Sequence, residues 1–145
     1  MNNIFTHGIG VDLLHLPRIV SLLSRRPTQR FARRILTPLE LAEFQQLPSA
    51  TTMGPSTTPL SNPQIRFLAS RWAAKEASYK ASAALISTTR EQWMSWKNFE
   101  ITSGARGEPR LTIRGDDGTE LGKGMVSISH DGEYVVAMAM VPHCF

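Results

Sequence analysis

Apolar positions recur every three to four residues through much of the first 86 residues and alternate after that, so helices precede strands. The exception comes first. Gly8-Ile9-Gly10-Val11-Asp12-Leu13-Leu14 reads as a short buried strand with glycine at its start. A period of two places Asp12 opposite Val11 and Leu13, beside Gly10 and Leu14. Pro17 fits the first position of a helix to about Leu23, with Ile19, Val20 and Leu23 as its apolar stripe and Arg18 on the other side. Arg25-Arg26-Pro27-Thr28 breaks it, and Thr28 is placed to cap a short helix to Ile35. Thr37-Pro38-Leu39-Glu40 has capping-box spacing with proline at N1, for a helix to about Gln46. Asn62-Pro63 opens a long central helix, with no glycine or proline from Gln64 to Ile86.

Strand patterns follow Ser87-Thr88-Thr89. Trp96 to Thr102 alternates, with Phe99 and Ile101 on one face and Trp96, Asn98, Glu100 and Thr102 on the other. Gly104 to Pro109 is a turn, Leu111-Thr112-Ile113 a strand, and Gly115 to Gly118 a second turn. Thr119 to Gly124 is too rich in glycine for more than a turn of helix. Met125 to His130 and Tyr134 to Val141 form a hairpin about Asp131-Gly132. Leu47 to Asn62 is rich in Ser, Thr and Pro, lacks a period, and reads as a surface insertion too short to separate two domains. The expected fold is α+β: one domain, residues 1–145, with an antiparallel sheet packed on the long central helix.

Composition narrows the class. The chain has 145 residues, 41% hydrophobic and 19% charged, as in an ordinary soluble domain with room for a core. No run has the length of a transmembrane helix and no signal segment opens the chain, so neither a membrane nor secretion is expected. A single cysteine, Cys144, excludes an internal disulfide framework and a cysteine metal cluster and points to a reducing, intracellular compartment. The net charge of +4 fits either an ordinary basic surface or an anionic partner. Arg18, Arg25, Arg26, Arg30, Arg33 and Arg34 crowd the first quarter. Few aromatics are interleaved with them, which weighs against a single-strand stacking platform. A face for an acidic protein and a face for nucleic acid both fit.

Three stretches carry candidate chemistry. Asp12 within an apolar run needs a partner: backbone hydrogen bonds, a helix to cap, or a metal. In the Ala-rich stretch Arg71 to Ala81, Glu76 and Lys80 share a face, as do Arg71 and Lys75. Such a helix offers little surface, so it is expected to lie close to other backbone with its charges collected on one side. His130 closes a strand before a tight turn, where ligands are met. It serves there as a turn-capping group or as part of a site. A Ser129–His130 hydrolase is discounted, because adjacent strand residues face opposite ways and no nucleophile elbow is present. Asp12 and Glu76, from separate elements, suit a hard cation such as Mg2+, which binds one or two carboxylates plus substrate phosphate. Lys80, Arg66, Arg71 and His130 would add contacts to a polyanionic substrate.

Gly8-Ile9-Gly10-Val11-Asp12, the stretch Phe67 to Ala81 around Lys75-Glu76-Ala77, and Val126-Ser127-Ile128-Ser129-His130-Asp131 resemble the three signatures of the holo-acyl-carrier-protein synthases. These are the small 4'-phosphopantetheinyl transferases. Gly107-Glu108-Pro109 resembles a fourth, weaker one. The resemblance covers nearly the whole chain and implies the 4'-phosphopantetheinyl transferase fold. It also implies transfer of the phosphopantetheine arm of coenzyme A to a serine of an apo-acyl carrier protein, in fatty acid biosynthesis, with release of adenosine 3',5'-bisphosphate. It assigns Mg2+ to Asp12 and Glu76, and phosphate to Lys80. Coenzyme A falls to His130, Ser129, Arg66, Arg71 and the Gly107–Pro109 turn. The carrier's acidic helix falls to Arg18, Arg25 and Arg26. It implies a homotrimer with active sites shared between subunits, His130 serving a neighbour's Asp12 and Glu76. The general base stays open between Glu76, Lys80 and a water on the metal.

Two features depart from the family pattern. The insertion at 47–62 is longer than the usual connection, pointing to a eukaryotic, fungal-type version in the mitochondrial matrix or cytoplasm. The helix that usually separates the Gly-x-Pro strand from the Ser-x-Ser-His strand has no room in Gly115 to Gly124. The competing class is a basic binding module for RNA or an acidic protein, with Asp12 and Glu76 structural.

Overall fold

The computed structural model describes residues 7–49, 59–83 and 94–142. Strand β1 (His7–His15) leads into helices α1 (Leu16–Ser24), α2 (Thr28–Ile35) and α3 (Pro38–Gln46). A single 3-10 turn, Pro59–Ser61, precedes the long helix α4 (Pro63–Ala83). Strands β2 (Phe99–Ser103), β3 (Pro109–Arg114), β4 (Glu120–Asp131) and β5 (Tyr134–Pro142) complete one antiparallel sheet, ordered β1-β5-β4-β3-β2. The α+β expectation holds, with α4 packed across β1 and β5.

Small residues bring α4 close. Ala69, Ala73, Ala74, Ala77 and Ala81 of the helix are fully buried, as are Ala137 and Ala139 of β5. Larger side chains (Leu68, Phe99, Ile101, Ile113) fill the core towards β2 and β3. Such alanine-on-alanine contact lets backbones approach with little side-chain entropy lost.

The caps were legible. Thr37 Oγ1 accepts from Glu40 N at 3.4 Å, and Glu40 Oε2 accepts from Thr37 N at 2.8 Å, which is the reciprocal box. Asn62 Oδ1 accepts from Gln64 N at 2.9 Å and Ile65 N at 3.4 Å, closing the start of α4. Thr28 is corrected: Pro27 holds the cap position of α2 and Thr28 is already helical.

Three further expectations are revised. Thr119 to Gly124 is not an isolated turn: from Glu120 it is the first half of β4, paired with β3. Glycine permits this, because a Cβ at Gly124 would lie 2.6 Å from both Leu111 Cδ2 and the Met140 carbonyl oxygen. Trp96–Asn98 is a 3-10 turn rather than strand, closed by Asn98 Oδ1 accepting from Ser95 N. And β1 is buried on one side only: Gly8, Gly10 and Leu14 face the core, while Ile9, Val11 and Leu13 are exposed.

The insertion at 47–62 falls mostly outside the described residues, as do the far end of the central helix (residues 84–86), Ser87–Thr89 and Cys144.

Candidate active site

The site begins at Gly10. A Cβ there would sit 2.0 Å from the Ala77 carbonyl oxygen and 2.6 Å from Ala81 N, so β1 and α4 touch backbone to backbone. Asp12 lies two residues further along the same face of β1, while Glu76 and Lys80 flank Ala77 on the helix. Lys80 Nζ donates to Asp12 Oδ1 at 2.8 Å and to the Val11 carbonyl at 3.0 Å. Gly10→Ala is expected to push the two elements apart, at about 1–3 kcal/mol for the overpacking. Urea unfolding measures that loss; a variant as stable as wild type would show that the close contact is not needed.

The electrostatics mark the carboxylates as a pair. Burial, and next the negative charge of Asp12, hold the Glu76 carboxyl above the usual glutamate range, while Lys80 and Arg18 pull it back. Two oxygen-ligand carboxylates that repel each other fit a hard cation, which removes the repulsion. Clusters of three or more His, Cys, Asp or Glu placed to hold a metal do not occur among the described residues, so other ligands of such a cation would come from elsewhere.

The rest of the expected set is spread over the chain. His130, at the end of β4, has its imidazole pKa lowered by partial burial and then by the positive charge of Arg66. Arg66 and Glu76 are ten residues apart on α4, about 15 Å along the helix. Ser129 is exposed on the other face of β4, in register with Val136. Gly107 takes φ +81° in the β2–β3 turn and Pro109 opens β3, three positions from β1 in the sheet with β5 and β4 between them. That separation is about 14 Å. Within one chain Asp12, Glu76, Lys80 and Arg18 form one cluster, His130 and Arg66 a second, and the Gly107–Pro109 turn a third locus.

Arg71 faces elsewhere. It is buried, lies 4.2 Å over the Phe67 ring, donates to Glu43 Oε2 at 3.4 Å, and has Nε 3.9 Å from Glu40 Oε1. Lys75 shares that side: fully buried, it donates to Glu40 Oε2 at 2.7 Å and to the carbonyls of Trp96 and Phe99. Burial lowers its pKa and the Glu40 charge opposes the shift. The helix therefore carries two charged faces, an open one at Glu76/Lys80 and a buried one at Arg71/Lys75, instead of the single charged side the sequence pattern predicts.

The arginine-rich quarter holds a groove of about 670 Å³ whose lining includes Leu22, Arg26, Arg30, Phe31, Arg34 and Trp72. Phe31 stacks on Trp72 at 5.2 Å, Trp72 contacts Trp96 at 5.8 Å, and Trp96 stacks on Tyr79 at 5.8 Å. Arg30 and Arg34 belong to the arginine-rich quarter that the sequence offers as a face for an anionic partner; the aromatic side chains beside them were not foreseen. Arg30 and Arg34 share a helix face by their four-residue spacing, whereas Trp72 and Trp96, which complete the aromatic floor beside Phe31, lie 38 or more positions further along the chain.

The family model of the 4'-phosphopantetheinyl transferase superfamily matches residues 8–139, from the first strand of the site to the return strand of the last hairpin. The chain belongs to this superfamily. A holo-[acyl-carrier-protein] synthase of Geobacillus kaustophilus (strain HTA426) is 39% identical over 134 residues, covering 92% of this chain and 87% of the relative. The mitochondrial 4'-phosphopantetheinyl transferase B of Aspergillus fumigatus is 38% identical over 145 residues, covering 92% of each. Among solved structures, a Chronobacterium ammoniagenes ACPS–CoA complex superposes with a TM-score of 0.65 at 26% identity, covering 95% of this chain and 98% of that one. The transferase is an enzyme of the holo-acyl-carrier-protein synthase type. No helix among its described residues is long and apolar enough to cross a membrane.

Proposed function

We propose that this transferase moves the 4'-phosphopantetheine arm of coenzyme A to a serine of an apo-acyl carrier protein, with Mg2+, and releases adenosine 3',5'-bisphosphate. The observation that carries this reading is the pairing of Asp12 with Glu76 beside Lys80, made by the glycine–alanine contact of β1 and α4. Asp12 and Glu76 would hold Mg2+ at the pyrophosphate. Once bound, the ion offsets charge on the phosphate oxygens as the P–O bond to the leaving nucleotide breaks. Lys80 brings a positive charge to the same phosphates. His130, largely neutral at physiological pH because its pKa is lowered, hydrogen-bonds the nucleotide end, and Arg66 pairs with a phosphate there. Arg18, Arg25 and Arg26 meet the carrier's acidic helix, and the groove at Arg30, Phe31 and Arg34 extends that surface. The bound ACPS–CoA relative supports coenzyme A as the donor.

The separation of the clusters supports a site completed between copies. Ile9, Val11 and Leu13 of β1, Met125 of β4, and Val136 and Met138 of β5 are 38–63% exposed on one sheet face. An apolar face of this kind marks an interface. A homotrimer joined there would bring a neighbour's His130 and Arg66 to Asp12 and Glu76. Val11→Asp is expected to yield monomers by light scattering and to lose turnover while circular dichroism stays unchanged. A trimeric Val11→Asp would show that this face is not the interface.

The reaction is tested by incubating the protein with coenzyme A, Mg2+ and an apo-carrier, and weighing the carrier by mass spectrometry. Gain of one phosphopantetheine arm supports the reading; an unmodified carrier with every divalent metal tried defeats it.

A further inference from the structure

We propose that Lys80 is the resident cation of the Asp12–Glu76 pair, and that it releases Asp12 when a divalent cation binds. The inference rests on the metal reading above and adds an exchange to it. Lys80 Nζ is held at two fixed points, Asp12 Oδ1 at 2.8 Å and the Val11 carbonyl at 3.0 Å. The oxygen it holds belongs to a carboxylate that the metal reading assigns as a ligand. The side chain of Asp12 is 16% exposed and that of Lys80 50% exposed, so the acceptor is fixed and the donor's stem is free. A lysine suits such exchange: a compact charge on a flexible four-carbon stem, without the planar fork that locks an arginine.

Lys75 gives the contrast on the same helix. Its ammonium is fully buried among one carboxylate oxygen and two carbonyls and has nowhere to go. Lys80 is half exposed, so its ammonium has solvent to move into. With the site empty it screens two carboxylates that repel each other. Once Asp12 coordinates a cation, its ammonium is free for the substrate's phosphate. The lysine's contact with phosphate is therefore conditional on the metal, which sets an order: cation first, lysine to phosphate second.

The test uses Mg2+ alone, with neither coenzyme A nor carrier. Calorimetric titration of metal-free wild type and Lys80→Met should show roughly two- to fivefold tighter binding to the variant, the size of a half-exposed ion pair. In 1H–15N spectra of the lysine ammonium groups of the wild type, the Lys80 signal should move from a hydrogen-bonded to a solvent-like position at Mg2+ saturation, with Lys75 unchanged. If Mg2+ binds and the Lys80 signal stays, the exchange is wrong whatever the affinity of Lys80→Met, and the metal reading survives. Equal affinities also overturn the exchange. Mg2+ binding to neither protein removes the exchange and the metal reading together.

Discussion

Glu76→Gln is expected to abolish transfer, a fall of at least about 10²–10³-fold, while making the metal-free protein more stable. The two effects share a cause. The carboxylate that gives the site its affinity for a cation is unfavourable in the empty site, because burial and the Asp12 charge raise its pKa. A raised folded-state pKa means that stability is fully present below the unfolded value, about 4.3 for glutamate, and is lost as pH rises through the folded one. Glutamine has the same shape and no such loss. In EDTA, the Tm of Glu76→Gln should exceed that of wild type at pH 7–8, and the gap should close towards pH 4. Mg2+ should raise the Tm of wild type, increasingly with pH, and leave the variant unmoved. Full turnover in Glu76→Gln would remove the carboxylate from the mechanism.

Lys75→Ala, one residue away, is expected to do the opposite. It leaves the Glu40 carboxyl group buried without its ammonium partner, a loss of about 3–5 kcal/mol and enough to unfold a marginal domain. Glu40→Gln/Lys75→Met should recover much of that loss, since the buried charge goes with its partner. Urea unfolding of wild type, the single variant and the double variant measures both steps. A Lys75→Ala protein within 1 kcal/mol of wild type, roughly a surface-pair value, would show the pair to be dispensable.

Neighbouring residues with opposite roles show what the sequence could and could not convey. Asp12 and the Glu76–Lys80 pair were legible because each rests on a local period: two residues on a strand, four residues (about one turn) on a helix. The Thr37–Glu40 box was legible too, but not that Glu40 would leave solvent to meet Lys75, 35 residues away, because that depends on how α3 lands on α4. The same gap hid the destination of Arg71. Along β1, an apolar run states that side chains shun water without saying what covers them, so Ile9, Val11 and Leu13 read as core and proved exposed. In Thr119 to Gly124 the glycines rightly argued against a helix but gave no sign of the strand that starts at Glu120. Gly124 answers a steric need set by Leu111 and Met140, which only the assembled sheet creates.

The buried Glu40–Lys75 pair has a consequence for how the sheet meets other chains. Strand β2 ends the sheet, and its outward backbone groups would be open to a further strand. Instead the Ile101 amide donates to Glu40 Oε1 at 3.0 Å, and the Phe99 carbonyl accepts from Lys75 Nζ. The two side chains stand in for the missing neighbour at Phe99 and Ile101, one as acceptor and one as donor, so this stretch of the edge is capped against strand addition and the aggregation it invites. A variant that breaks the pair would reopen that edge as it destabilises the fold, and should form thioflavin-positive aggregates below its unfolding midpoint.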